Sequence, residues 1–329
     1  MKTGQRHETP GPDRNELGER TSQRVFDATL RRYGKLSRRK TLLLALAATV
    51  QTTRGAEQIS IDNLYVKDQL DEACERAIEF LLRNQRENGS ITDRGHAVAL
   101  TSLSIMALAA IGTEPSEENR RGRAMRAALD YVLDERHQTK AGYLGAHDGS
   151  RMYGHGITTL MLTEMLGMGG SQKQNEIIHD RLRAALRLIL SSQAVRKERN
   201  LQGGWRYEPG SRDSDLSVSI WQLMALRSAK NDEMNVPIEA IENALDYLRN
   251  SFTGRRTQSG LGEGGFSYTP GQSRPSFTMT AAGLLAMQVC GQYDAPEVVA
   301  SADWLIGHRP KASERYLFYG LYYYAQGMH

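Results

Sequence analysis

Along most of the chain, apolar positions recur in two alternating kinds of segment. The first kind is amphipathic. Residues 77–82, 128–133, 185–190, 244–248 and 301–305 each set a large side chain among small and charged ones. Their large residues Phe80, Tyr131, Leu188, Tyr247 and Trp304 stand 51, 57, 59 and 57 positions apart, a spacing that marks internal repeats of one structural unit. Glycine-rich turns follow four of them, at residues 88–91, 141–144, 203–205 and 264–266. The second kind is apolar on most faces and predicts helices over about 97–111, 157–168, 216–228, 277–289 and 316–327; the run from Ala97 to Leu108 carries no charge. A helix apolar all round must be buried, whereas an amphipathic one keeps a wet face. The pattern therefore predicts an all-α fold of about five helix pairs over residues 70–329, with an inner apolar ring and an outer amphipathic ring. Glycine lets the chain turn tightly before each large residue that plugs the gap between pairs.

These residues resemble the prenyltransferase and squalene-cyclase repeat family, whose fold is an α/α toroid. The stretch from Phe80 to Gln85 with Gly89, Ser90 and Ile91 is similar to that family's Gln-x-x-x-Gly-x-Trp motif, Ile91 standing in the Trp place. Gly203-Gly204-Trp205 and Gly264-Gly265-Phe266 are similar to its Gly-Gly-aromatic turns. The resemblance covers about residues 70–329 and implies a central cavity. A family toroid has about six pairs and five are legible here, so the ring is expected to be incomplete. A C-terminally truncated fragment is the preferred reading, with closure by residues 20–70 as the alternative.

Apolar residues make up 40% of the 329 and charged residues 24%, a globular rather than a disordered mix. No apolar run approaches the ~20 residues that span a bilayer, so an integral membrane span is not expected. Two cysteines, Cys74 and Cys290, exclude a disulfide scaffold and a cysteine-rich zinc module. The sequence pI of about 9.0 comes from the leader. Residues 1–40 hold 11 basic and 5 acidic side chains, leaving 31 basic and 33 acidic beyond. The body has no excess charge for a phosphate backbone, and nucleic acid is not an expected partner. Residues 1–56 form a basic leader. Within residues 37–56, Ser37-Arg38-Arg39-Lys40 precedes an apolar run to Val50, the plan of an export signal. The alternative is an amphipathic helix on a cytoplasmic protein.

Candidate chemistry gathers at the start of the third inner helix, where Asp213, Ser214 and Asp215 precede Trp221 and Gln222. The resemblance implies two uses. In squalene-type cyclases the middle Asp of an Asp-x-Asp-Asp motif is a general acid. Aligned on Trp221, Ser214 falls under that acid and Asp215 under the last Asp. Shifted by one, Asp215 falls under the acid and Leu216 under the last Asp. The motif is incomplete either way. In protein prenyltransferases an Asp, a Cys and a His bind zinc; Asp215 matches the Asp, but Ser217 and Gly320 stand where the thiolate and imidazole would be, and neither can replace them. No metal and no cofactor is expected. The structural reading of Asp213 and Asp215 is helix capping.

His96 and His155 are expected at equivalent starts of adjacent inner helices, where with Asp215 they would form a polar rim or a weak metal site, though no His-x-x-x-His spacing supports a metal, or each bond a neighbouring carbonyl; Tyr153, beside His155, is expected to contact a ligand. Six of the chain's aromatic residues lie between Tyr316 and Tyr324, and Tyr319 and Tyr323, with Trp205 and Trp221, are expected to contact a ligand. The expected function is binding of a hydrophobic small molecule, isoprenoid or lipid-like, or of an extended peptide, without the family's catalytic motifs. The alternative is a terpenoid cyclase-type enzyme using Asp215 or Asp213 as general acid. For the leader, N-terminal sequencing of the native protein is expected to find residues 1–35 absent, through a start near Leu36 or through cleavage. An intact segment rejects both.

Overall fold

The computed structural model describes residues 68–257 and 260–329; the leader and the signal-like segment 37–56 lie outside the described residues. Two compact units are distinguished. Of the described residues, one holds 68–76 and 110–112, the other 77–109, 113–257 and 260–329. The described residues are mostly helical. The helices are α1 (Gln69–Asn84), α2 (Ala97–Ala110), α3 (Arg120–Leu133), α4 (Arg151–Glu164), α5 (Gln172–Gln193), α6 (Leu216–Asn231), α7 (Ile238–Ser251), α8 (Phe277–Val289), α9 (Pro296–Gly307) and α10 (Leu317–Gly327). A two-stranded antiparallel sheet, β1 (Phe252–Thr257) and β2 (Gly260–Phe266), follows α7.

Amphipathic and apolar helices alternate up to α8, but α10, which the apolar pattern expects to be buried, buries only Gly320, Tyr323 and Gly327. In α3, Met125, Ala128, Leu129 and Val132 turn inward while none of its arginines is buried. By contrast α6 is buried continuously from Leu216 to Leu226 and α8 from Phe277 to Met287. At roughly 1.5–3 kcal/mol for each large apolar side chain removed from water, these second helices dominate the core.

Two expectations are corrected. The second helix of the second pair begins at Arg151, not near residue 157. Gly154 and Gly156 lie inside it and permit close packing. A Cβ on Gly154 would overlap the Ser150 side chain, and one on Gly156 would lie 2.8 Å from the Cβ of Trp221 in α6. The Gln222 amide crosses the same gap and donates to the Met152 carbonyl at 2.7 Å. The fourth glycine turn is the arm of a hairpin and not a simple loop. Phe252 pairs with Phe266, their rings 5.3 Å apart edge to face, and Gly254 pairs with Gly264.

One set of bonds recurs at the junctions between pairs. At the end of the first helix a glutamine amide donates twice: to the carbonyl of the following turn glycine, and to a carbonyl in the first helix of the next pair. Gln85 reaches Gly89 and Ala124, at 3.0 and 2.8 Å. Gln138 reaches Gly142 and Arg181, both at 3.0 Å. Gln193 reaches Gly203 and Ala240, at 2.9 and 2.8 Å. The three turn glycines have φ of 85°, 93° and 91°, and a Cβ on each would overlap a backbone carbonyl of the next first helix, at Ala127, Ala184 and Asn243. Here glycine is required twice over, by its dihedral and by the close approach.

The residue after each turn then fixes the second helix. The N–H groups of Ile91, Leu144, Trp205 and Phe266 donate to Thr101 Oγ1, His155 Nδ1, Ser219 Oγ and Thr280 Oγ1. The first turn of that helix is satisfied from the next pair's loop. Val98 N–H donates to Asp148 Oδ2, Met152 N–H to the Tyr207 carbonyl, and Leu216 N–H to the Tyr268 carbonyl. Replacing Gln193 with Ala strands two buried carbonyls and should cost about 2–4 kcal/mol, read as a lower urea midpoint. Gln85→Ala, half exposed, should cost less than half as much. Equal losses would reject the amide as the junction's clamp.

Candidate functional site

The polar groups that converge do so at the N-terminal end of α6. Asp215 is its N-cap, in an extended conformation, its side chain accepting from the first turn. Oδ1 accepts from the Val218 N–H at 2.9 Å and from the Ser217 hydroxyl at 2.5 Å, satisfying an orphan donor of the first turn. Oδ2 is buried and makes no hydrogen bond. The cation facing it is Arg206, whose Nη1 lies 3.4 Å away while its Nε lies 3.3 Å from Asp213. The guanidinium also stands over two rings, 4.7 Å from the centroid of Tyr207 and 5.5 Å from that of Tyr268. Burial pushes the Asp215 carboxyl above the usual carboxylate range, against the pull of its hydrogen bonds and of Arg206.

A chain of hydroxyls leads from this acid to α4 and α10. Tyr153 donates to Ser217 Oγ, which in turn donates to Asp215. From α10, Tyr319 donates to the Ser217 carbonyl at 3.3 Å and Tyr323 donates to Tyr319 at 2.9 Å. Trp221 stacks on Tyr322 and tilts against Tyr323, at 5.6 and 5.8 Å. Tyr153 stacks on Tyr207 at 6.1 Å, and the Tyr207 and Tyr268 hydroxyls are 2.5 Å apart. Burial raises the Tyr153 hydroxyl well above its ordinary range and pushes Tyr319 up to about 12, so both stay neutral at physiological pH.

Of the residues singled out in the sequence, Asp215, Tyr153, Trp221, Tyr319 and Tyr323 are thus brought together. Asp213 lies at the margin, its side chain 57% exposed in the ion pair with Arg206. Trp205 is a buried plug, its indole N–H donating to the Ile189 carbonyl at 2.9 Å. The expected pairing of His96 with His155 is corrected. His96 is exposed, at a positive φ of 56° just before α2. The residue of the first pair that matches His155 is Thr101, since both accept the N–H that follows the glycine turn. His155 is wholly buried, far from any rim role.

Arg206 and Tyr207 open the segment that the sequence marks as candidate chemistry but carry no assigned role there, and Tyr268 is not singled out. The two tyrosines each stand two residues after a turn aromatic, Trp205 and Phe266, and that shared register was the available signal.

The zinc set of the resembled family does not fit these residues. Ser217 Oγ is held between Asp215 and Tyr153, and a Cβ on Gly320 would already lie 2.7 Å from the Phe277 ring. A cleft of about 730 Å³ lies elsewhere, between the loop after α4, the start of α5 and the turn after α6, where Glu176, His179, Asp180 and Glu233 line it. No helix among the described residues is long and apolar enough to cross a membrane. Neither the protein-family models nor the curated sequences compared with the chain match it.

His155 Nδ1 accepts from the Leu144 N–H, so Nε2 carries the proton and lies 3.2 Å from the Ala185 carbonyl. A second proton would be both desolvated and opposed by an N–H, and burial lowers the group to about 4. The unfolded chain takes up that proton near 6.5, the folded one only near 4. This contribution to stability is therefore present above pH 6.5 and is lost as pH falls toward 4, by about 3 kcal/mol. Asp215, raised in the fold, acts with the opposite sign, so the test compares two proteins that both contain it. Between pH 7 and 4, wild type should lose stability relative to a His155→Thr variant. Parallel curves would reject the assignment.

Proposed function

We propose that the chain is a helical-repeat protein of the prenyltransferase and squalene-cyclase type, its pairs curling as an α/α toroid. It binds a hydrophobic ligand, isoprenoid or lipid-like, or an extended chain, along the buried helices. The observation that carries this reading is the aromatic face of α10. Phe318 is 85% exposed and Tyr322 38%, one helical turn apart on the same face. Between and behind them Tyr319 and Tyr323 run into the hydroxyl chain of α6. An apolar strip with a few convergent polar groups at one end is the usual make-up of a small-molecule site. The placing of the pairs around one axis rests on the sequence resemblance, and a fold does not by itself fix a ligand.

A second reading is favoured by the Asp215 carboxyl, which is desolvated, raised and left with an oxygen free of hydrogen bonds. A desolvated carboxyl held protonated is what a general acid in terpenoid cyclisation needs; both acids pair with Arg206, but Asp213 is 57% exposed and is not desolvated.

Mass spectrometry of organic extracts from the purified full chain should find a stoichiometric apolar compound. Phe318→Ser should keep the helical circular dichroism and lower that compound several-fold. A protein that retains nothing overturns the binding reading. If turnover of a polyprenyl substrate is seen and vanishes in Asp215→Asn, the enzymatic reading replaces it.

A further inference from the structure

Each junction between pairs has two sides, and both recur at fixed positions in the first helices. The forward side faces the pair that follows. In α3, Arg126 packs against Gly170 of the next loop, Asp130 accepts from the Gln174 amide at 2.7 Å, and Leu133 is buried near Ile177. Counted from the large residue of each helix, Trp304 in place of Tyr131, the same positions in α9 are Val299, Asp303 and Ile306. Val299 is 54% exposed and Ile306 57%. Asp303 stands where Asp130 and Glu79 each accept from the next pair. It is exposed and makes no hydrogen bond or ion pair among the described residues.

The backward side faces the pair before. Beside the carbonyls that meet the turn glycines, Ala128, Ala185 and Ala244 are all buried. Their counterpart in α1 is Ala77, which is exposed. Phe80 is 64% exposed, whereas its counterpart Tyr247 is sealed, and Ala73 extends the open strip by one turn. No described helix covers these residues of α1 and α9. Both strips are largely apolar, whereas an uncovered face in a soluble repeat array is polar.

Each strip is half of an interface that the chain builds several times within itself, so a second copy carries the missing half of both. A stand-in for the glutamine clamp is also in place. Arg309 follows Trp304 by five positions, as Gln85 follows Phe80 and Gln193 follows Leu188, and it is exposed. Those glutamines reach Ala124 and Ala240, seven residues before the next large residue; in α1 that place is Ala73. We infer that the chain associates with itself head to tail, the α9 face of one copy seated on the α1 face of the next. A contact between unlike faces closes into a ring or runs on as a filament.

Sedimentation velocity of the full-length protein over a range of concentrations tests this. Wild type should grow beyond the monomer mass as concentration rises. Phe80→Asp and Ile306→Asp alter exposed side chains and should keep the helical circular dichroism, yet each alone should stay monomeric. Mixed in equal amounts, they should form a heterodimer that grows no further, because each keeps the face that the other has lost. Asp303→Arg, a milder change, should weaken association several-fold. A monomeric wild type overturns the inference. So does self-association of either aspartate variant, which would mean that like faces meet, and so does a mixture without heterodimer. None of these residues lies on α10, so ligand binding is judged apart from this.

Discussion

The structure depends on a buried carboxamide that must satisfy two carbonyls belonging to different repeats. A turn glycine presses its backbone against the next first helix so closely that no side chain fits between. That approach removes water from the carbonyls on both sides, and an unpaired carbonyl in such a place costs ~1–3 kcal/mol. The glutamine side chain answers both at once, and its two N–H groups have the right geometry because they diverge from one planar nitrogen. Gln85, Gln138 and Gln193 repeat the solution at three junctions. Packing area alone would let the pairs slide; the paired donors fix their register.

That register also builds the site. Once a turn is clamped, the following N–H meets the second helix at a fixed place, and the next loop supplies the partner for that helix's first orphan N–H. Asp215, Tyr207 and Tyr268 are loop and cap residues, placed within a few ångströms of one another because two successive junctions meet at α6. The polar cluster sits where the scaffold has most backbone to satisfy. The scaffold's needs explain Oδ1 of Asp215, and Oδ2 faces the Arg206 guanidinium at 3.4 Å.

Much of this was legible from the chain. Apolar runs such as Ala97–Leu108 announce burial, and the recurrence of large residues at 51 to 59 positions announces the repeat. The Asp215–Trp221 stretch and the tyrosines of α10 stood out by composition. What stayed hidden depends on turn length. Gln85 and Gln138 precede their turn glycine by four residues, but Gln193 precedes Gly203 by ten, so the third junction does not align with the first two by counting. The same variation disguised His155. Its counterparts Thr101, Ser219 and Thr280 follow their turn residues by 10, 14 and 14 positions against 11 for His155, and a histidine does a hydroxyl's work. The hairpin was missed because glycines dominate it and its pairing rests on Phe252 and Phe266, which are fourteen residues apart.

The start of α10 differs from those of α6 and α8. Asp215 and Ser276 cap those helices with a side-chain hydrogen bond, whereas Tyr316 precedes α10 at a φ of 61° and makes none. Helix ends without such a bond fray at little free-energy cost. Opening that first turn would carry Tyr319 off the Ser217 carbonyl and bring solvent to a carboxylate otherwise sealed from it.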